Sequence, residues 1–395
     1  MEPLSWGGLI IRILAQFWPV WVALVVTFVA SIRYKRRLGL YGKLFDSTIG
    51  MIGFALVMFW VYTAVFTGVF DLISTHDPLA QIAAMKNKGP GTPVTGAEGV
   101  YPYYLLGGDN LARDVFSRMV KGSLVVMAIA PLATLFAFMV GITLGLPAGY
   151  YGGRLDMVLS FAANLILAFP VILLFYLLVT PEIMQTGLPQ YMAVVLFFFP
   201  LIFAGVLIHA RFRTQPQKNL TWLAVVLVPM AVIYVSAVNA AGTRVDFSPV
   251  DLFDIPSGIL VVFVSVVFVN APTVFRIVRG LAMDIKTRDY VAAAQTRGER
   301  PWYIMLWEIL PNARGPLIVD FCLRIGYTTI LLGTLGFFGL GLPPESPDWG
   351  STINDGRRLL SIYLHPALVP ALSLLSLVLG LNLLADGLRE ESLRD

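Results

Sequence analysis

Nine apolar runs of roughly 20 residues divide this chain, and each is long enough to cross about 30 Å of hydrocarbon as a helix. They lie at about 9–31, 48–70, 121–148, 157–179, 190–210, 221–241, 258–277, 315–337 and 364–386. Composition agrees: 13% of residues are charged and mean hydropathy is +0.77, whereas soluble domains carry about 25% charge. The fold class expected is all-α, a polytopic membrane protein. The first run contains Arg12, is followed by the basic stretch RYKRR and lacks a small-residue cleavage site. It is therefore expected to stay as an anchor and not to be removed as a signal peptide.

Orientation follows from the basic residues between the runs. With the N-terminus outside, the inner segments hold Arg33, Lys35, Arg36, Arg37, Lys43, Arg154, Arg211, Arg213, Lys218, seven residues from Arg276 to Arg314, Arg389 and Arg394. That is eighteen of 28, against eight outside, five of them in the long 71–121 segment where loop length weakens the rule. Nine spans beginning outside end inside, so the C-terminus and residues 276–314 are expected in the cytoplasm. The net charge of +4 thus describes topology. No basic surface with a recognisable nucleic-acid module accompanies it.

Residues 289–311, DYVAAAQTRGERPWYIMLWEILP, form a polar island between two of these runs. Asp289 and Tyr290 open it, and Ala292, Ala293 and Ala294 favour a helix while letting another protein approach its backbone. Gly298 offers a left-handed C-cap, Pro301 suits the first turn of a second helix, and that helix runs to Leu310 and Pro311. Such an island suits contact with a soluble partner.

The island resembles the cytoplasmic coupling loop of ABC-importer permeases, in which two short helices dock on an ATPase subunit. Further segments match in the same order: LLGGDNLARDVFSRM (105–119), LPAGYYGGRLD (146–156), LAFP (167–170), GFFGLGLPPESPDWG (336–350) and NLLADGLRE (382–390). Together they resemble the second permease subunit of dipeptide, oligopeptide and nickel ABC importers. The resemblance implies a type I importer core of about six helices, with about three helices additional to it. It also implies a second homologous permease, two cytoplasmic ATPase subunits, and a periplasmic or extracellular substrate-binding protein, all around a bacterial cytoplasmic membrane. By resemblance the 105–119 segment lies near the face where that binding protein docks; its residues alone equally suit an amphipathic anchor, with Asp109 or Asn110 capping a short helix.

The chain departs from the family pattern at four points. The coupling motif usually begins with Glu where this chain has Ala292, although Asp289 or Glu299 stands nearby. A position commonly Asp in the span before LAFP is Asn164. The first run has no family counterpart, and residues 183–256 add an in-out pair of spans joined by HARFRTQPQK, with RVDFSPVDLFD on the outer side. These additional helices are expected outside the central bundle, facing lipid or an accessory partner.

Chemistry-bearing constellations are few. His76, His209 and His365 stand on separate segments without metal-ligand spacing, and Cys322 lies inside a span. No GxxxxGK[ST] loop occurs, so ATP hydrolysis is expected in partner subunits, and neither a catalytic residue, a metal nor a cofactor is assigned to this chain. Within the spans, Asp320 and Arg324 are spaced for an ion pair on one helix face. They stand as candidates, with Asn164, for a subunit interface or a polar path. Asn382 and Asp386 repeat the spacing near the inner end, and Gly336, Gly339 and Gly341 suit a close helix approach or a break.

The organisation expected is an additional helix and basic loop at 1–46, a first core helix and outer loop at 47–120, core helices at 121–182, the inserted pair at 183–256, and core helices at 257–395 carrying the coupling loop 276–314. Little compact structure is expected in the Gly- and Pro-rich middle of the 71–121 segment. The function expected is a permease subunit of an ATP-driven importer for a small hydrophilic solute, most often short peptides in the resembled family. A proton-coupled secondary transporter is the alternative; it calls for intramembrane carboxylates and internal repeats, which are scarce here. A membrane-embedded enzyme would need a converging acid, base or nucleophile.

Overall fold

A computed structural model of the chain describes residues 2–95, 101–240, 257–340, 342–343 and 346–392. The expected outer stretch at 244–254, with Gly96, Gly341 and Arg394, lies outside them. In chain order the principal helices are α1 (Trp6–Gln16), α2 (Trp18–Tyr34), α3 (Thr48–Gly68), α4 (Val115–Tyr151), α5 (Gly153–Leu167) and α6 (Val171–Val179). They continue as α7 (Leu188–Phe212), α8 (Pro216–Ala240), α9 (Ser257–Ile285), α10 (Asp289–Thr296) and α11 (301–312). The last three are α12 (Arg314–Phe337), α13 (Trp349–Arg357) and α14 (His365–Ser392).

Among the described residues, seven helices are long and apolar enough to cross a membrane: α3, α4, α7, α8, α9, α12 and α14. The other two expected spans are bent pairs, α1 with α2 by 58° and α5 with α6 by 81°. Proline explains both breaks. Pro19 stands at the start of α2 and Pro170 immediately before α6; each lacks an N–H for the preceding helix, and Pro170 also disfavours helical torsions at Phe169, which lies outside both helices. The LAFP motif is therefore a sharp corner and not the middle of a straight span.

The chain divides into two compact units, one of residues 1–131 and 322–395 and one of 132–321. In the first, α14 packs along α3, α13 rests on α14, and α2 lies against α3. The side chain of Ser47 caps α3 by accepting from the Gly50 amide at 3.2 Å. Trp60 donates to Ser376 Oγ at 2.9 Å and meets Trp349 edge to face, with centroids 4.9 Å apart. At the end of α12, Gly336 closes against α13 and Gly339 takes φ +71°, so both expected roles of these glycines occur.

The 71–121 segment is more ordered than its composition suggests. A short antiparallel pair joins β1 (Thr92–Pro93) to β2 (Tyr103–Tyr104), and Ile73, Met85, Tyr104 and Leu105 are fully buried. Apolar residues between the Gly and Pro positions supply a small core of their own. The expected short capped helix is also absent, because α4 starts at Val115, six residues before the expected span. Its cap is Asp114 and neither Asp109 nor Asn110: the Asp114 carboxylate accepts from the amides of Phe116 and Ser117 at 3.2 and 3.3 Å.

In the second unit α9 is the central element, packed against α5, α6 and α7, while α8 rests chiefly on α7. The latter half of α4 approaches α9 through Gly141, Gly145 and Gly149, one per helical turn. A Cβ added at these positions would lie 2.5, 2.9 and 2.6 Å from Val274, Val278 and Arg279 respectively. Glycine is the only residue that fits such backbone approach without displacing α9. Arg279 also holds Asp156 of α5 through both nitrogens of its fork, one contact measuring 2.6 Å.

Candidate functional site

The polar island folds into α10, a tight turn and α11. Glycine at 298 takes φ +78°, and the chain turns there in a double-bonded C-cap: Glu299 N donates to the Ala294 carbonyl at 3.2 Å and Gly298 N to that of Gln295 at 2.9 Å. Pro301 then begins α11 as expected. That helix contains a π turn over Ile304–Ile309 before ending at Asn312. Pro311 follows the wide turn closely; its missing N–H already deprives the carbonyl four residues back of a helical partner, a setting in which a widened turn is easily accommodated.

Burial sorts the expected coupling residues into two faces. Val291 and Ala294 are fully buried, packed in a cluster with Val278, Ala282, Met305 and Ile309. Asp289, Tyr290, Ala292, Ala293 and Gly298 are exposed, as is Pro311, while Leu310 is half-buried. Ala294 therefore faces the interior, and the open face consists of small residues with Tyr290 at its edge. Two anchors hold the segment to the spans, and an ion pair closes it on itself. Lys286 Nζ donates to the Gly149 carbonyl at the end of α4 at 2.8 Å, Gln295 reaches the Tyr150 hydroxyl at 3.2 Å, and Arg297 pairs with Glu308 at 3.0 Å across the turn. Such a rigid, exposed and shallow face suits close docking of another protein.

The inserted pair reaches this segment. Phe203, Val206 and Ala210 of α7 pack on the cluster beneath α10 and α11, and the Arg211 guanidinium stacks 4.8 Å from the Trp307 ring centroid. The remaining candidates are more dispersed. Asn164 is exposed in the last turn of α5, Asp320 and Arg324 are each half-buried one turn apart on α12, and Asn382 and Asp386 are exposed on α14.

The 105–119 segment, singled out in the sequence, forms a second polar centre in the first unit, as a buried network with distant partners that its residues alone did not suggest. Arg113 and Asp109 are almost wholly buried and pair at 2.6 Å, and Arg113 also holds Asp355 at 2.7 Å. His76 places Nδ1 3.1 Å from Asp114 and Nε2 3.0 Å from the Tyr101 carbonyl. Fully buried Arg118 donates to Thr352 Oγ1 at 3.1 Å. Burial, with the charges of Asp114 and Asp109, holds the Tyr104 phenol well above its ordinary value. Burial likewise raises the Asp348 carboxyl, although Ser351 hydrogen-bonds to it. The signal available was the density of charge in DNLARDVFSR; its partner Asp355, 242 positions away, was not accessible to local reading.

Among the described residues no group of three or more His, Cys, Asp or Glu is gathered as metal ligands. The family comparison covers the coupling segment. Residues 141–390 match the family model described as binding-protein-dependent transport system inner membrane component. The glutathione transport system permease protein GsiD of Pectobacterium atrosepticum is 29% identical over 74% of this chain and 73% of its own length. The dipeptide transport system permease protein DppC of Alkalihalophilus pseudofirmus is 26% identical over 81% of each chain, and that of Haemophilus influenzae 27% identical over 74% of this chain and 75% of its own length. With well over half its length matching one family model, and with helices long and apolar enough for multiple membrane crossings, the chain belongs to the binding-protein-dependent transport system inner membrane components, as an all-α, multi-pass permease subunit of an ABC importer.

Proposed function

We propose that this permease imports short peptides or peptide-like solutes, working with a second homologous permease, two cytoplasmic ATPase subunits and an external substrate-binding protein. The observation that carries the substrate class is the pair of relatives named above: glutathione and dipeptides are both short, polar and charged at their ends. The exposed small-residue face of α10, anchored to α4 by Lys286 and Gln295, supports its assignment as the ATPase-docking element. Asp289, Tyr290, Ala292, Ala293, Gly298, Leu310 and Pro311 are its contact positions, with Ala294 packing beneath them. The bias of basic residues supports an outer N-terminus and a cytoplasmic C-terminus. ATP hydrolysis falls to the partners.

On this reading residues 1–46 and 183–256 are additions to a core formed by 47–120, 121–182 and 257–395, with the coupling loop at 276–314. Asp320 and Arg324 pair at a subunit interface or along the solute path, and Asn164 contributes a neutral polar group. Uptake of labelled dipeptide and of glutathione should be measured in vesicles containing the assembled transporter, with and without ATP. ATP-dependent uptake of either, inhibited by excess of the other or by mixed short peptides, supports the reading. Uptake by this chain alone, driven by a proton gradient without ATP, would overturn it. For the pair, Asp320→Asn and Arg324→Leu should each lower complex yield, and the double variant should recover it; wild-type yield in both single variants would dismiss the pair.

A further inference from the structure

Where the inserted pair meets the coupling segment, the second unit holds an open pocket of about 390 Å³, within the range of small-ligand pockets. Its wall is strongly cationic. Arg211 and Arg213, from the turn leaving α7, converge with Arg300, which immediately precedes α11; His209 adds a further nitrogen, and Glu299 is the single acidic residue in the lining. Arg213 and Arg300 carry no ion pair among the described residues, whereas nearby Arg297 is already matched to Glu308. Arg211, Arg213 and Arg300 are exposed to solvent around the pocket and so stay open to an anion, and the planar guanidinium fork is matched to the oxygens of phosphate.

Position in the fold selects the source of that anion. The cavity lies where α7 ends at Phe212 and α8 begins at Pro216, so two apolar helices leave the hydrocarbon at its edge. Phe212 and Trp222 stack there with centroids 6.2 Å apart, and Trp302 forms part of the wall. Aromatic residues at such a level mark the boundary between acyl chains and water. Basic pockets between helices at that boundary bind anionic headgroups.

We propose that this cavity binds the phosphodiester headgroup of an anionic phospholipid, and that the bound lipid bridges the inserted pair to the coupling segment. The insertion then has a task that a six-helix core lacks: it seats a lipid against α11. The proposal concerns a site on this chain and holds whichever solute is carried.

The test is lipid retention by the full chain, purified from nanodiscs of mixed phosphatidylglycerol and phosphatidylcholine and weighed by native mass spectrometry. Wild-type protein should keep phosphatidylglycerol in preference to phosphatidylcholine. Arg213→Gln with Arg300→Gln should reduce that retention by roughly twentyfold, the order expected when two basic groups leave an anionic headgroup. Lys218→Gln, at a basic residue in the first turn of α8 but outside the lining, should leave it unchanged. Should the double variant elute poorly, Arg213→Gln alone serves, with roughly a fivefold loss. Equal retention in wild type and variant would overturn the site. An equal loss in Lys218→Gln would reduce it to general surface attraction and also overturn it. A second arm adds inorganic phosphate: failure to displace the lipid supports a headgroup site, while displacement at millimolar levels assigns the cavity to a soluble phosphate and overturns the lipid. ATP-dependent uptake, measured separately, reads the proposed solute class.

Discussion

The two polar centres of this protein handle charge in opposite ways. In the first unit, Asp109, Arg113, Asp114 and Arg118 are at most 4% exposed and bond to one another or to distant backbone and side chains. In the second, residues 289–311 leave Asp289, Tyr290, Ala292 and Ala293 open and bury only one face. Charge in an apolar chain is costly wherever it is not matched. One centre matches most of it internally, with Nε and Nη1 of Arg118 left without a hydrogen-bond partner among the described residues; the other keeps its surface shallow and nearly neutral, so that a second protein can supply the match. Polar density alone does not identify a docking surface. The diagnostic is polarity without internal partners.

Substitutions that move a residue from one regime to the other test this contrast, and their effects on stability should fall in a defined order. Arg113→Ala removes the partner of two carboxylates, one nearly buried, and should cost about 3 to 5 kcal/mol; thermal unfolding in detergent and yield of folded protein would register it. Gly145→Leu should come next, at about 1 to 3 kcal/mol, because α9 offers no space for a side chain. Gly298→Ala should cost about 1 kcal/mol for the left-handed torsion alone, since a Cβ there meets no neighbour. If Gly298→Ala proves worse than Gly145→Leu, the coupling turn is packed and not open.

A pH effect distinguishes the centres further. The Asp348 carboxyl is raised by burial, so the folded state binds its proton more tightly than the unfolded chain does. Its contribution therefore falls as pH rises from about 4, the unfolded value, through the folded one. Asp348→Asn should flatten that decline in a series of melting curves. Ala293→Asp should change stability least, within about 0.5 kcal/mol, yet abolish uptake and weaken retention of ATPase subunits. Normal uptake in that variant would remove α10 from the coupling role.

Much of this architecture was legible because spans announce themselves by length and hydropathy, and the Gly298 and Pro301 signals read correctly as a helix stop and start. The split between Val291 with Ala294 and the exposed Ala292 and Ala293 follows from three-residue spacing, once one knows which face the interior occupies. Three features were not legible. The corner at Pro170 looks continuous in hydropathy, since Val171 to Val179 is as apolar as what precedes it. The Arg113 network depends on Asp355, brought close only by tertiary folding. The π turn likewise depends on how α11 accommodates Pro311 while keeping Ile304, Met305 and Ile309 buried together.

The glycine stripe on α4 has a mechanical meaning. Where side chains separate two helices, each can rotate or slide a little before the other responds, and small displacements are absorbed by rotamer changes. Between Gly141, Gly145, Gly149 and the facing residues of α9 there is no such play. Lys286, just beyond the end of α9, grips the last carbonyls of α4. A push on α10 therefore reaches two membrane helices at once and without backlash, like a gear train with its teeth in full contact.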